Sequence, residues 1–354
     1  MKIISLSLQN FRNIERLSIS PFHGMNVIFG ENAQGKTNLI EAIWLFTGAK
    51  SFRGEKDSSF IRFGQEKAAV SLTFLSGGVE NDASFECGER RTAKLNNTAL
   101  QSPAALAGKF NAVVFSPQDL SLIVSGPQTR RKFLDTAIGQ LYPSFIGTLK
   151  QYHRAVTQRN RLIREYRYDG SLSVMLDSFE KEIALNGEKI ITARRKFLSR
   201  MTTFLPEIYR GISYGREELT TEYVCCCEEN NLSEALKLAR KEDMLTGITS
   251  IGPHRDDIKF EINGVSAKGY GSQGQKRSVA LSLKLAEAQV LKEISGEYPV
   301  CLLDDVMSEL DPARQDYVLN HIKDWQSFLT CCDPSAVKNL RQGQCFEISG
   351  GGLK

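Results

Sequence analysis

The chain has 354 residues, of which 41% are hydrophobic and 24% charged, an ordinary globular composition long enough for more than one folding unit. Its 45 Lys and Arg against 41 Asp and Glu leave a net charge of only +4, so bulk charge is no argument for a nucleic-acid binder and any basic surface must be local. The opening MKIISLSLQNFRNIERLSI alternates like a strand instead of forming a signal peptide, and no apolar run approaches the ~18 residues of a membrane span.

In chain order, residues 1–8 and 15–20 are expected to form two strands around an NFRNI turn. Met25–Phe29 (MNVIF) is a short apolar run, and Asn38–Thr47 has helical apolar spacing. Residues 68–95 suit an antiparallel meander, and Val113–Phe115 ends a buried strand that runs into Ser116-Pro117. From Gln128 to Tyr168 there are nine Lys or Arg against two acids, Asp135 and Glu165. Leu149, Tyr152, Val156 and Ile163 share a 3-4 seam in which Arg159 fills one slot. After a Tyr-Asp-Gly turn the seam resumes through Leu172, Leu176, Phe179, Ile183, Ile190, Ala193, Phe197, Met201 and Phe204, with Asn186 in one slot. Two such helices joined by a glycine turn predict an antiparallel hairpin, an arm over 120–205. A strand at TTEYVCCC, a helix at LSEALKLARK and a hairpin turning at Asn263-Gly264 follow. Then come a glycine-rich loop, a long helix from Lys276, the apolar strand VCLLDD and a last candidate strand at Phe328–Cys331.

Eight cysteines include three in a row, Cys225, Cys226 and Cys227. Consecutive residues do not make a disulfide framework or a spaced metal motif, so the expectation is reduced thiols in a cytoplasmic protein.

Chemistry concentrates in three places. Gly30, Glu31, Asn32, Ala33, Gln34, Gly35, Lys36 and Thr37 fit G-x-x-x-x-G-K-[ST] between a strand and a helix. That pattern predicts a loop whose N–H groups wrap phosphates, a lysine on the β and γ phosphates of ATP, and a threonine hydroxyl on Mg²⁺. Asp304 and Asp305 end an apolar strand, where the first would hold the metal and the second would polarise water as general base. Ser272, Gly274 and Gln275 open a helix, a second anion site with no phosphate of its own to serve, which suits the nucleotide held by another copy. The arm arginines Arg154, Arg159, Arg161 and Arg164 are candidate phosphate-backbone contacts or a solvated face, with Arg159 at the seam.

LQNFRN, GENAQGKTNLIEAI, SPQDL, GPQTRRKFLD, QRNRLI, GPHRDD, GSQGQKR and LLDDVMSELD occur in this order over almost the whole chain. Together they resemble the ABC-type ATPase heads of SMC-like proteins, and within those the RecF family. The resemblance implies an α/β fold, an ABC-type P-loop head with a mixed sheet and an antiparallel β meander, composed of 1–119 and 206–354 around the inserted helical arm. It implies Gln118 near Mg²⁺ and the attacking water, Ser272 and Gly274 acting in trans on a partner's nucleotide, and Asp311 closing the dimer. It further implies an ATP-dependent homodimer on single-stranded or duplex DNA, acting with RecR and RecO in recombinational repair. Two departures stand out. Asp305 replaces the usual glutamate, and the strand ending Thr330-Cys331-Cys332-Asp333 lacks the switch histidine. Both imply slow hydrolysis. A transport ATPase subunit is the rival reading, less suited to so long an insert.

Overall fold

The computed structural model describes residues 1–165, 173–227, 231–333 and 343–354. The chain begins with β1 (Lys2–Phe11), β2 (Ile14–Ile19), β3 (Met25–Phe29) and α1 (Lys36–Trp44). A meander follows: β4 (Ala68–Ser76), β5 (Val79–Cys87), β6 (Thr92–Leu95) and β7 (Thr98–Ala99). Next are β8 (Ala112–Phe115), the short α2 (Ser121–Val124), α3 (Pro127–Leu141), α4 (Pro143–Glu165) and the long α5 (Ser173–Ile212). Then come β9 (Leu219–Val224), α6 (Leu232–Thr246), β10 (Asp257–Ile262), β11 (Val265–Ser266), the short α7 (Ala267–Tyr270) and α8 (Gln273–Ser295). The last elements are β12 (Val300–Asp304), α9 (Pro312–His321), β13 (Ser327–Cys331), β14 (Gly343–Ser349) and β15 (Gly352–Leu353).

One sheet is antiparallel, ordered β2-β1-β4-β5-β6-β7. A second, also antiparallel, has three strands ordered β11-β10-β9. The third runs β15-β14-β3-β13-β12-β8, parallel except where β15 turns back on β14. Its central strands are apolar on both faces because both faces are covered. In β12, Val300 and Leu302 point into the core shared with α1 and the antiparallel sheet, while Cys301 and Leu303 point into the core shared with α8 and the arm. A fold of this kind, an ABC-type head with a helical arm, is the one the motifs imply.

The seam residues Tyr152, Val156, Ile163, Leu176, Ile183, Ile190, Phe197 and Met201 are buried, and Asn186 fills its slot by donating to the Glu182 carbonyl at 3.1 Å. Leu172 and the Tyr-Asp-Gly turn lie outside the described residues. The expected boundary at 205 falls inside α5, which continues to Ile212 through Pro206 and packs on α8. One hydrophobic core runs from β8 and β12 through α8 into α3, α4, α5 and α6, so the arm is an outgrowth of that lobe.

β14 is absent from the sequence reading. It pairs with β3 along the strand that feeds the glycine loop.

Candidate functional site

The glycine loop leaves β3 and closes onto α1. Gly30 has φ 148 and Gly35, the residue before α1, has φ 116, regions that side chains rarely enter. Space excludes them too. A Cβ on Gly30 would lie 2.2 Å from the Ile348 carbonyl oxygen of β14, and one on Gly35 would lie 2.9 Å from Asn13 Oδ1. Glu31, Asn32 and Ala33 are exposed at the loop crest, where Ala33 also holds a positive φ of 64. The loop is thus braced from two sides. Asn13 of the β1–β2 turn donates to the Ala33 carbonyl at 3.2 Å, and the Gln34 side chain accepts the backbone N–H of Gly350.

Lys36 is buried and its ammonium donates to the carbonyls of Gly30 (2.6 Å) and Glu31 (2.8 Å), so the cation is held over the loop's own backbone. The Thr37 hydroxyl donates to Asp304 Oδ1 at 2.8 Å, and Thr330 donates to the same oxygen at 3.0 Å. Asp304 is 7% exposed. Burial pushes its pKa up; the two hydroxyls and Arg53 pull the other way, and Asp305 adds to the rise. A hydroxyl and a carboxylate converging at the end of a buried strand are hard oxygen donors, the set Mg²⁺ prefers. Arg53 reaches this place from the loop after α1 and donates to Asn38 Oδ1 at 3.2 Å. Neither Asn13 nor Arg53 is among the sequence-derived candidates. Asn13 is the last residue of LQNFRN, which is its only signal in the sequence, and Arg53 carries none.

Asp305 leaves the strand at φ 52, its N–H donating to the Thr330 hydroxyl at 2.9 Å and its carboxylate accepting from Ser308 at 3.2 Å. That left-handed turn swings its side chain out of the strand direction. At the position expected for a switch histidine, the Cys332 thiol lies 3.9 Å from Lys36 Nζ and donates to Asn32 Oδ1 at 3.1 Å. Gln118 is exposed in the 3₁₀ turn Pro117–Leu120, which Ser116 and Asp119 close with a capping box.

Ser272 caps α8. Its hydroxyl accepts from the Gln275 N–H at 3.2 Å, while its own N–H donates to Gln275 Oε1 at 2.7 Å. Gln275 is therefore occupied in shaping the helix start, and its amide also donates to Glu217 at 2.8 Å. Gly274 faces the Arg314 guanidinium, 3.7 Å from where a Cβ would stand. Asp311 caps α9, accepting from the Arg314 N–H at 3.0 Å and from its side chain at 2.8 Å.

The arm arginines separate. Arg159 is 0% exposed, with its guanidinium on Glu180 (2.8 Å), Asp243 (2.6 Å) and Thr249 (2.9 Å). This corrects its place among the phosphate contacts: a cation enclosed by two carboxylates does not reach a polyanion. Arg154, Arg161 and Arg164 are exposed on α4, the first two on the side opposite Tyr152, Val156 and Ile163 and Arg164 at its flank near Gly247, and Arg161 pairs with Glu165 at 2.7 Å. Among the described residues no helix is long and apolar enough to cross a membrane.

Comparison with known proteins shows what the whole chain is similar to. The family model described as "RecF/RecN/SMC N terminal domain" matches residues 2–344. The chain is 38% identical over 333 residues to the "DNA replication and repair protein RecF" of Agathobacter rectalis, covering 94% of this chain and 92% of the relative. A solved structure of "the recombination mediator protein RecF-ATP in RecFOR pathway" superposes with a TM-score of 0.92 at 35% identity, covering 100% of this chain and 97% of that one. The Smc head domain of Pyrococcus furiosus, at 16% identity and a TM-score of 0.58, shares the fold.

Proposed function

Because this chain belongs to the RecF family within the RecF/RecN/SMC group of ATPase heads, we propose that it is an ATP-dependent DNA-binding protein of recombinational repair whose nucleotide joins two copies into a closed clamp. The observation that carries the reading is the Thr37–Asp304 contact of 2.8 Å beside a lysine held over the glycine loop. Two segments 267 residues apart in the sequence thereby meet, as a single triphosphate site requires. The RecF–ATP relative supports ATP as its ligand.

In this reading the loop N–H groups and Lys36 bind the β and γ phosphates. Thr37 and Asp304 hold Mg²⁺, which when bound supplies positive charge to the phosphate oxygens. Asp305 and Gln118 orient the attacking water. The Ser272 hydroxyl and the Gly274 N–H at the start of α8 donate to the γ-phosphate held by the second copy, and Asp311 acts at the same junction. The closed pair binds duplex or gapped DNA through phosphate contacts that include Arg154, Arg161 and Arg164, and works with RecR and RecO. Hydrolysis is slow and acts as release, since Asp305 is one methylene short of glutamate and a thiol, Cys332, stands where a histidine would assist.

Light scattering with and without ATP tests this. Lys36→Ala abolishes ATP binding and ATP-driven dimers, and Ser272→Arg binds ATP yet stays monomeric. Equal dimer content in the wild type with and without ATP would overturn the reading.

A further inference from the structure

Cys225, Cys226 and Cys227 follow directly on β9, and a regular strand would send Cys226 to the face opposite its neighbours. Instead the strand ends at Val224 and the backbone bends, so that all three Sγ atoms lie within 4.8 Å of one another. Consecutive spacing, which argued against a metal motif, is offset by this bend. The three are half-buried, open enough for an ion to enter.

Their surroundings hold them in place. The Gly252 N–H points at Cys226 Sγ from 3.2 Å, and the Cys226 N–H donates to Asp256 Oδ1 at 2.8 Å. Asp256 also accepts from the Tyr223 hydroxyl at 2.5 Å, while its backbone oxygen accepts from Arg131 at 2.6 Å. An N–H aimed at sulfur and a carboxylate fixing the ligand backbone are the outer contacts that orient metal thiolates.

We propose that Cys225, Cys226 and Cys227 form a three-thiolate site for one soft metal ion, Zn²⁺ or Cu⁺. All-sulfur donors select such ions over Mg²⁺, and three ligands with an open side suit trigonal Cu⁺ or Zn²⁺ completed by water. Binding releases the thiol protons and locks the end of β9 against the Gly252–Asp256 loop. The site is separate from the nucleotide site and does not depend on the function proposed above.

The test uses the full chain, reduced, chelator-treated and kept free of oxygen. Cd²⁺ is added while the ultraviolet sulfur-to-metal charge-transfer band is followed, and Zn²⁺ and Cu⁺ then compete against chromogenic chelators of known affinity. One ion per chain is expected, with Zn²⁺ or Cu⁺ displacing Cd²⁺ and raising the melting temperature. Cys226→Ser should weaken binding by ~100-fold or more, the upper range for losing even an outer contact. Cys332→Ser, at the glycine loop, should bind like the wild type. Circular dichroism and a cooperative melting transition check that each variant is folded. Absence of the charge-transfer band in the wild type, or equal metal affinity in a folded Cys226→Ser protein, would overturn the proposal.

Discussion

The Tyr214 hydroxyl donates to Asp311 Oδ1 at 2.8 Å, tying the turn that ends the arm helix α5 to the residue that caps α9. Three residues on, Glu217 accepts from the Gln275 amide at 2.8 Å and from the Tyr209 hydroxyl at 2.6 Å. One turn therefore holds both the start of α8 and the α9 cap. Tyr214 sits at φ 57, costly for a bulky residue and kept by these contacts. α5 and α9 meet at Gly211, where a Cβ would lie 2.1 Å from the Tyr317 ring. Under the proposed mechanism these are positioning residues for the trans site. Tyr214→Phe and Glu217→Gln should leave ATP binding by the monomer unchanged. Each should weaken ATP-driven dimerisation about 5-fold, the equivalent of one ~1 kcal/mol hydrogen bond. Sedimentation across a concentration series measures it, and an unmoved dimer constant would remove the turn from the mechanism.

Asp304 illustrates a site arranged for a ligand at the expense of the resting fold. Burial raises its carboxyl pKa from the ordinary 3.8, so ionising it costs more in the folded chain than in the unfolded one. A raised folded value in an acid means the unfolded chain gives up its proton first, and stability falls as pH climbs through that window. Asp304→Asn keeps the acceptor for Thr37 and Thr330 and removes the charge. Without nucleotide the variant should melt above wild type at pH 7, with the gap closing toward pH 4. It should also lose the stabilisation that Mg²⁺ and ATP give the wild type. Calorimetry at both pH values reads both effects.

What the sequence disclosed follows from where each constraint resides. Gly30, Gly35, Lys36 and Thr37 are legible because phosphate wrapping dictates glycine and cation spacing within eight residues. VCLLDD is legible because a strand covered on both faces must be apolar throughout. β14 is not, because only Phe346 and Ile348 of its seven residues are buried, too short an alternation to separate from a turn. Yet Ile348 is the residue whose carbonyl excludes a side chain at Gly30. Arg159 reads from its spacing as a basic seam residue, since the carboxylates that enclose it, Glu180 and Asp243, come from α5 and α6. Such pairings are made by tertiary contact and leave no local pattern.

His254 of the GPHRDD stretch explains part of that motif and predicts a pH response. Its Nδ1 lies 2.5 Å from the Tyr152 hydroxyl and its Nε2 lies 3.0 Å from the Thr249 carbonyl, an arrangement for the neutral ring donating from Nε2. Burial, then the nearby Arg255, lowers its pKa from 6.5 to about 4. A depressed folded value means that the unfolded chain takes up the proton first as pH drops. The stability contribution is full above pH 6.5 and is lost progressively down to about 4. Urea midpoints for the wild type should therefore fall between pH 7 and pH 5, and those of His254→Gln should fall less. Parallel curves for the two proteins would assign the acid sensitivity elsewhere.

The arm makes the sharpest separation between stability and binding. Arg159→Ala leaves Glu180 and Asp243 buried without their cation, and removing one partner of a buried charge cluster costs about 3–5 kcal/mol. Arg240 still contacts Glu180, so Asp243 is the carboxylate left most exposed to that penalty. Arg159→Met, which keeps the stem, should recover packing but not the charge. Arg154→Ala, Arg161→Ala and Arg164→Ala change exposed residues of α4 and should each leave stability within ~0.5 kcal/mol of wild type. If that face meets DNA, each should instead weaken duplex binding and reduce the slope of log affinity against log salt by about 1. Denaturation and salt-dependent gel shifts on these five variants give the answer. An Arg159→Ala variant that folds normally would refute the buried cluster, and unchanged salt slopes in the other three would move the DNA contact off the arm.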